Sequence, residues 1–156
     1  MKSKQKGFSL IELLIVVAII LIIAAIAIPN LLRARISANE ASAVASLRTM
    51  NTACISYNSD YGQYPPLQTS MGPANGGTPL YTEADLLDSV LGVAGAVKSG
   101  YTIAYLVSGS TPYSAYKING DPVTQHQTGI RHFFTDQSAV LRANPTAVAT
   151  VSDSPL

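Results

Sequence analysis

Residues 8–28 read FSLIELLIVVAIILIIAAIAI and decide the fold of the N-terminal part of this 156-residue chain. The stretch contains one charged side chain, Glu12, and is about as long as a bilayer-crossing helix, which needs roughly 20 apolar residues. Three lysines precede it: Lys2, Lys4 and Lys6. Because basic residues stay on the cytoplasmic side, the pattern predicts a single-pass membrane helix with a cytoplasmic N-terminus.

Glu12 separates the possible interpretations of this stretch. A secretory signal peptide has an apolar region of about 7 to 15 residues, whereas this run is longer and carries a carboxylate. A simple membrane anchor accounts for the length but not for Glu12, since a carboxylate in hydrocarbon is costly and usually functional. We therefore expect Glu12 to have a charged partner in its apolar surroundings.

The residues Lys6-Gly7-Phe8-Ser9-Leu10-Ile11-Glu12-Leu13-Leu14 resemble the class III signal of type IV prepilins and pseudopilins, most of all that of a type IVa major pilin. The resemblance implies that a membrane prepilin peptidase cuts after Gly7 and N-methylates Phe8. It also implies that the chain polymerises with its own copies through the apolar helix, at an inner-membrane assembly platform, into an extracellular filament. In such a filament Glu12 is expected to pair with the α-amine of Phe8 on a neighbouring copy, because opposite charges attract strongly in apolar surroundings.

Pro29 follows the apolar run and either ends or bends a helix, because proline lacks the backbone N–H that a helix uses. The helical pattern resumes beyond it, with apolar residues at spacings of three and four: Ala43, Leu47, Met50, Cys54 and Tyr57. The helix is therefore predicted to continue to about Tyr57, and Pro29 to belong to the assembly segment. Residues 28–35 (IPNLLRAR), 39–41 and 46–49 also resemble the pilin family.

The remaining residues predict a small antiparallel sheet. Strand-like runs occupy residues 101–107, 113–118, 129–135 and 139–143, with Ser108-Gly109-Ser110 and Asn119-Gly120-Asp121 as turns. Alternate residues Tyr101, Ile103, Tyr105 and Val107 share one face of the first strand, and the helix stripe is the natural cover for it. The predicted fold class is α+β, a pilin roll with one long N-terminal helix.

The stretch between the helix and the sheet takes the place of the variable helix-to-sheet loop of the pilin family that this sequence resembles. Residues 61–66 (YGQYPP) end the helix, and residues 72–77 (GPANGG) form a flexible surface stretch. Thr82 followed by Asp85 predicts the N-terminus of a short helix with Leu86, Leu87, Val90 and Leu91 facing inward.

Several classes of function are excluded by what the sequence lacks. The net charge is +1, and beyond Tyr57 four basic residues face seven carboxylates, so no nucleic-acid surface is expected. His126 and His132 have no cluster of metal ligands around them, and no acid, base and nucleophile assemble into an enzyme site. We expect no cofactor and no metal. Cys54 is the single cysteine and is predicted to be buried and inert.

Asp136-Gln137-Ser138 resembles the turn that closes the final hairpin of pilin-like proteins, with Ala139 where that pattern usually has glycine. A single aspartate is a poor cage for calcium, which takes six to eight oxygens. An Asx-type turn is therefore favoured over the calcium loop of some secretion pseudopilins.

Four segments follow from these predictions: a leader (1–7), a transmembrane assembly half of the helix (8–30), an amphipathic half (31–57) and a globular head (58–156). The favoured function is a structural subunit of a type IV pilus that serves adhesion or surface motility. The alternative is a pseudopilin of a type II secretion system, because the N-terminal signal is common to both. A chain that starts near Leu31 is expected to be soluble and folded.

Overall fold

The computed structural model describes residues 7–156. Its internal contacts divide the chain into two compact units, one that ends at Arg35 and one that runs from Ile36 to Leu156. A single long helix, α1 (Leu10–Tyr61), supplies most of the first unit and the helical part of the second. A 3₁₀ turn (Gln68–Met71) follows it.

Five strands form the sheet of the second unit: β1 (Ala96–Lys98), β2 (Tyr101–Ser108), β3 (Ala115–Pro122), β4 (His132–Asp136) and β5 (Arg142–Asn144). They lie in sequence order, and each pair of neighbours is antiparallel. Short connections allow this order, since antiparallel strands can be joined by tight turns. A long N-terminal helix packed against a small antiparallel sheet confirms the predicted α+β, pilin-like fold.

The core of the second unit lies between α1 and one face of the sheet. The helix contributes the predicted stripe, all of it buried: Ala43, Leu47, Met50, Cys54 and Tyr57. The sheet contributes Tyr101, Ile103, Tyr116, Ile118 and Phe133, none more than 2% exposed. Burying such side chains stabilises the folded state by about 25 cal/mol for each Å² of apolar surface removed from water. The prediction that the helix stripe covers the sheet is therefore confirmed.

Helix α1 ends four residues later than predicted, at Tyr61. Gly62 follows with a φ of 71°, and its N–H donates to the carbonyl of Asn58 at 2.8 Å. Glycine adopts this left-handed conformation without steric cost and is the usual residue just past a helix end. The last turn brings Tyr61 to Tyr57, with ring centroids 4.6 Å apart.

The predicted turn Asn119-Gly120-Asp121 is wrong, because these residues lie inside β3. Gly120 pairs with Ile103 on one side and with Phe133 on the other. A Cβ on Gly120 would lie 3.4 Å from Cδ1 of Leu47, so this glycine makes room for a helix side chain. Pairing on both sides overrides the local preference of Asn-Gly for a turn.

The last two strands begin later in the structure than predicted, and a local contact explains each difference. The backbone N–H groups of Ile130 and Arg131 donate to Glu40 rather than to a neighbouring strand, so β4 starts at His132. Ala139 has a φ of 58° and completes a turn, so β5 starts at Arg142. The short strand β1 was not predicted.

The predicted helix after Thr82 is also wrong. Residues 82–92 form turns and an isolated bridge between Leu80 and Glu83. Asp85 has a φ of 54°, which no right-handed helix contains. Leu87 and Leu91 are buried as predicted, whereas Val90 is 44% exposed. Gly72, predicted to be part of a surface stretch, is buried.

Candidate functional site

The start of α1 carries the candidate site. Gly7 and Phe8 precede the helix, and the Phe8 side chain is 86% exposed. Ser9 occupies the N-cap position and Glu12 the third helical position. The backbone N–H of Ser9 donates to Oε2 of Glu12 at 2.9 Å, and the N–H of Ile11 donates to Oγ of Ser9 at 3.4 Å.

These two hydrogen bonds form a capping box, in which the N-cap residue and the third helical residue each satisfy a backbone N–H at the helix start. The sequence analysis missed it, although the pattern Ser9-x-x-Glu12 ahead of an apolar run is its usual signal. Within the described residues, Glu12 therefore organises the start of α1 while its other oxygen, Oε1, makes no hydrogen bond.

Residues 10–28 of α1 present an almost wholly apolar surface. Its large side chains are each between 46% and 76% exposed from Leu10 to Ile28. Among residues 7–156, α1 is the helix long and apolar enough to cross a membrane, judged by length and composition. An exposed apolar surface of this extent is typical of a segment that contacts a membrane or another protein.

Pro29 lies inside α1, which continues for 32 residues to Tyr61. Proline has no N–H, so the carbonyl of Ala25 has no helical donor at that position. The prediction that the helix continues past Pro29 is confirmed. The predicted leader, apart from Gly7, lies outside the described residues.

The second unit holds a different glutamate in a different way. Glu40 is 7% exposed. Its Oε1 accepts the backbone N–H groups of Ile130 (3.0 Å) and Arg131 (3.1 Å), and its Oε2 accepts Nε of Arg131 (2.8 Å). Burial alone would raise the pKa of Glu40, but these donors outweigh it and hold the pKa below its ordinary value. Glu40 thereby ties α1 to the chain just before β4.

Two asparagines of α1 make similar links. Asn39 donates from Nδ2 to the carbonyl of Thr128 at 2.8 Å. The buried Asn51 donates to Oγ1 of Thr135 at 2.8 Å and accepts from the hydroxyl of Tyr116 at 3.1 Å. Sequence periodicity did not reveal these links, because each joins residues at least 65 positions apart.

The two histidines considered for metal binding or catalysis have different surroundings. His132 Nδ1 is 2.6 Å from Oδ1 of Asp121, and His126 lies in a loop. Residues 7–156 contain no group of three or more side chains able to hold a metal ion. Cys54 is buried, and desolvation raises its pKa to about 12, so its thiol stays protonated and unreactive as predicted.

Asp136 forms the predicted Asx turn. Its Oδ1 accepts the backbone N–H and the hydroxyl of Ser138, at 2.9 and 2.5 Å. The N–H of Ala139 donates to the Asp136 carbonyl at 2.8 Å. Ala139 thus adopts the left-handed conformation for which glycine is the usual choice.

Part of this chain is similar to known pilus proteins and to proteins of a secretion system. Residues 2–28 match the family model of the prokaryotic N-terminal methylation motif. The chain is 41% identical over 69 residues to the type IV major pilin protein PilA of Myxococcus xanthus and 47% identical over 66 residues to the type IV wide pilus major component PilA4 of Thermus thermophilus. It is also 28% identical over 72 residues to the type II secretion system core protein G of Dickeya chrysanthemi.

These similarities cover 42% to 46% of this chain, and they span 31%, 50% and 47% of the three relatives in the order given. The chain therefore spans a third to a half of the curated relatives that it matches. These relatives are two pilus proteins and a core protein of a type II secretion system, and no enzyme family is indicated. The resemblance of the N-terminal signal to that of pilins and pseudopilins is confirmed.

Proposed function

We propose that this chain is a structural subunit of a type IV pilus-like filament, polymerised through α1. The observation that carries the proposal is the long exposed apolar surface of residues 8–28, which coincides with the methylation motif matched over residues 2–28. A membrane covers this surface before assembly, and the equivalent helices of neighbouring copies cover it afterwards. Both environments exclude water from the same side chains.

Maturation begins on the cytoplasmic side of the inner membrane, where a prepilin peptidase cuts after Gly7 and N-methylates Phe8. Gly7 and Phe8 are exposed and lie ahead of α1, which suits a protease, since cleavage needs an accessible and unpaired backbone. The mature subunit then comprises the assembly half (8–30, including Pro29), the amphipathic half (31–57) and the head (58–156). An inner-membrane platform adds it to an extracellular filament that serves adhesion or motility.

Glu12 sets the position of each new subunit relative to its neighbour in the filament. One carboxylate oxygen is held by the capping box, which orients the side chain, and Oε1 remains to accept the α-amine of Phe8 from a neighbouring copy. That amine exists only after cleavage, so the pair links processing to assembly. A charge stranded in apolar surroundings costs roughly 3 to 5 kcal/mol, so misregistered subunits are disfavoured.

Mass spectrometry of the mature protein tests the maturation step. We expect Phe8 as the N-terminal residue, carrying one methyl group. An N-terminus at Met1, Ile28 or Pro29 would overturn the proposal, because each leaves no methylated amine at the start of α1.

A pseudopilin of a type II secretion system is the second candidate, supported by the similarity to the core protein G of Dickeya chrysanthemi and of Aeromonas hydrophila. Electron microscopy of filaments sheared from cells separates the two. A pilus subunit is the repeating protein of long surface fibres, whereas a pseudopilin is absent from them and its deletion abolishes export of secreted proteins.

A further inference from the structure

An unpaired stretch of strand lies within the second unit, on the outer side of β2. All eight residues of β2 have register partners in β3. On the other side, β1 pairs only with Tyr101, Thr102 and Ile103. Residues Ala104 to Ser108 therefore have a neighbouring strand on one side alone. Alternate residues of a strand direct their N–H and C=O groups to opposite sides, so about two residues of Ala104–Val107 point these groups away from β3.

The gap has a local cause. Gly95 immediately precedes β1 and has a φ of 65°, which turns the chain away where a longer β1 would have met Ala104. The opposite edge of the sheet, at β5, is covered by another segment of the chain. Beside β5, the N–H of Leu156 donates to the Leu141 carbonyl at 2.9 Å, and the N–H of Ala143 donates to the Ser154 carbonyl at 3.2 Å. The chain's own C-terminal residues thus cover that edge, and the described residues leave the β2 edge open.

A groove of about 450 Å³ runs along the open edge. Ala104 to Val107 form one wall, Pro66 to Thr69 the facing wall, and Ala94-Gly95 one end. None of these residues is charged, and most of the wall is apolar. Tyr105 fixes the width, because its hydroxyl donates to the carbonyl of Pro65 at 2.7 Å.

The facing wall is held in place by Gln68. Gln68 is 4% exposed, and its Nε2 donates to the Leu91 carbonyl at 2.8 Å. This bond ties the wall to the loop that precedes β1.

We propose that this edge groove binds an extended, uncharged segment of a partner polypeptide, which adds a strand to β2 at Ala104–Val107. Main-chain groups of the segment pair with the open edge, and its alternate apolar side chains enter the groove beside Leu67. Polypeptide is the occupant because a row of alternating donors and acceptors matches another backbone, whereas a lipid or a sugar offers no such repeat. The absence of charge from the walls disfavours acidic or basic segments, whose charges would lose water without gaining a partner.

Hydrogen exchange on the full mature chain in detergent tests the proposal. The probe is an array of end-blocked hexapeptides in which β-branched residues alternate with varied uncharged residues. At a peptide concentration about 100 times the Kd, amides of Ala104–Val107 that face the groove should exchange about 100-fold more slowly. The same peptides N-methylated at alternate residues should not bind, because N-methylation removes the paired donors.

Two substitutions provide a matched comparison. Leu67→Arg places a charge at the groove and should weaken binding at least tenfold, while Leu80→Arg should leave it unchanged. The two leucines are similarly exposed, at 63% and 58%, and Leu80 does not line the groove. Equal binding by both variants would overturn the proposal, as would an array without a binder or binding without slower exchange at Ala104–Val107. If these amides already exchange slowly in assembled filaments without peptide, a second copy of the chain occupies the edge. The inference of a different partner then fails.

Discussion

The two units of this chain use their apolar residues in opposite ways. In the unit that ends at Arg35, every large apolar side chain from Phe8 to Leu32 is at least 44% exposed. In the unit from Ile36 to Leu156, aromatic and aliphatic side chains meet between α1 and the sheet and are excluded from water. The second unit has a core of its own, whereas the described residues of the first leave their apolar side chains exposed.

The two glutamates repeat this difference. Glu40 has its hydrogen-bond partners within its own chain, 90 and 91 residues away in sequence. Glu12 finds only the backbone N–H of Ser9, three residues away, and keeps one oxygen without a hydrogen bond among the described residues. A carboxylate that is satisfied within the fold stabilises that fold, and one left partly free is available to another molecule.

The largest effect is expected from substitutions of Glu12. Glu12→Gln keeps an oxygen for the capping box but loses the charge, and Glu12→Ala loses both. Both variants should be inserted and cleaved, because neither adds charge to the apolar segment or changes the scissile bond. Both should leave few or no filaments when sheared surface material is examined by electron microscopy, since the Phe8 amine then lacks its charged partner.

Ser9→Ala is the matched control for the capping box, because it removes the bond to the Ile11 N–H and keeps the Glu12 charge. Loss of an N-cap side chain costs about 1 kcal/mol, so filaments should persist. If Glu12→Gln assembles as well as the wild type while Ser9→Ala fails, then capping matters and the charge pair does not.

The second prediction removes the first unit from the comparison. A chain of residues 31–156 lacks the exposed apolar surface but keeps every core residue of the unit that starts at Ile36. It should be monomeric in gel filtration and unfold in one cooperative transition monitored by circular dichroism. Aggregation or the absence of a transition would mean that the second unit needs the apolar helix in order to fold.

The third prediction concerns the link between α1 and β4. Glu40→Ala in the 31–156 chain leaves the N–H groups of Ile130 and Arg131 without their acceptor, which should lower the free energy of unfolding by about 2 to 4 kcal/mol in urea titrations. Arg131→Ala should cost less, since its side chain is 43% exposed and solvent screens that pair. Equal losses would assign the link to the ion pair rather than to the backbone donors.

The same carboxylate predicts a pH dependence. The pKa of Glu40 is lowered in the folded protein relative to an ordinary value of 4.5. Its contribution to stability is therefore complete above the unfolded pKa and is lost as the pH falls below about 4.5 towards the folded pKa. Between pH 7 and pH 3 the wild type should lose more stability than Glu40→Gln, in which this position does not titrate. Parallel curves would contradict the prediction.

The N-terminal half of the fold could be predicted from sequence because its signals are local. A run of apolar residues, a stripe at spacings of three and four, and Gly62 after Tyr61 each act within a few positions of one another. The interior of the sheet was predicted less well, since Asn119-Gly120 prefers a turn locally but lies between two strands that pair with it. Tertiary pairing decided the structure there.

The candidate site divides in the same way. Gly7, Phe8, Glu12 and Pro29 were selected from adjacent residues, and their roles in cleavage, methylation and assembly remain predictions. The capping box was overlooked although its pattern is local. The role of Glu40 could not be found, because its partners Ile130 and Arg131 are 90 and 91 positions away and nothing in the sequence links them.

The smallest effect is expected at Ala139, in the turn between β4 and β5. Its φ of 58° places a Cβ in the left-handed region, where glycine is free of strain. Ala139→Gly should raise the free energy of unfolding of the 31–156 chain by up to about 1 kcal/mol, the gain from relieved strain being partly offset by the greater freedom of glycine in the unfolded chain. Ala45→Gly, at an exposed position within α1, should lower it by about 1 kcal/mol because glycine is a poor helix former. Opposite signs in thermal or urea unfolding would confirm that the turn, and not glycine itself, sets the effect, whereas destabilisation by both would show that Ala139 bears no strain.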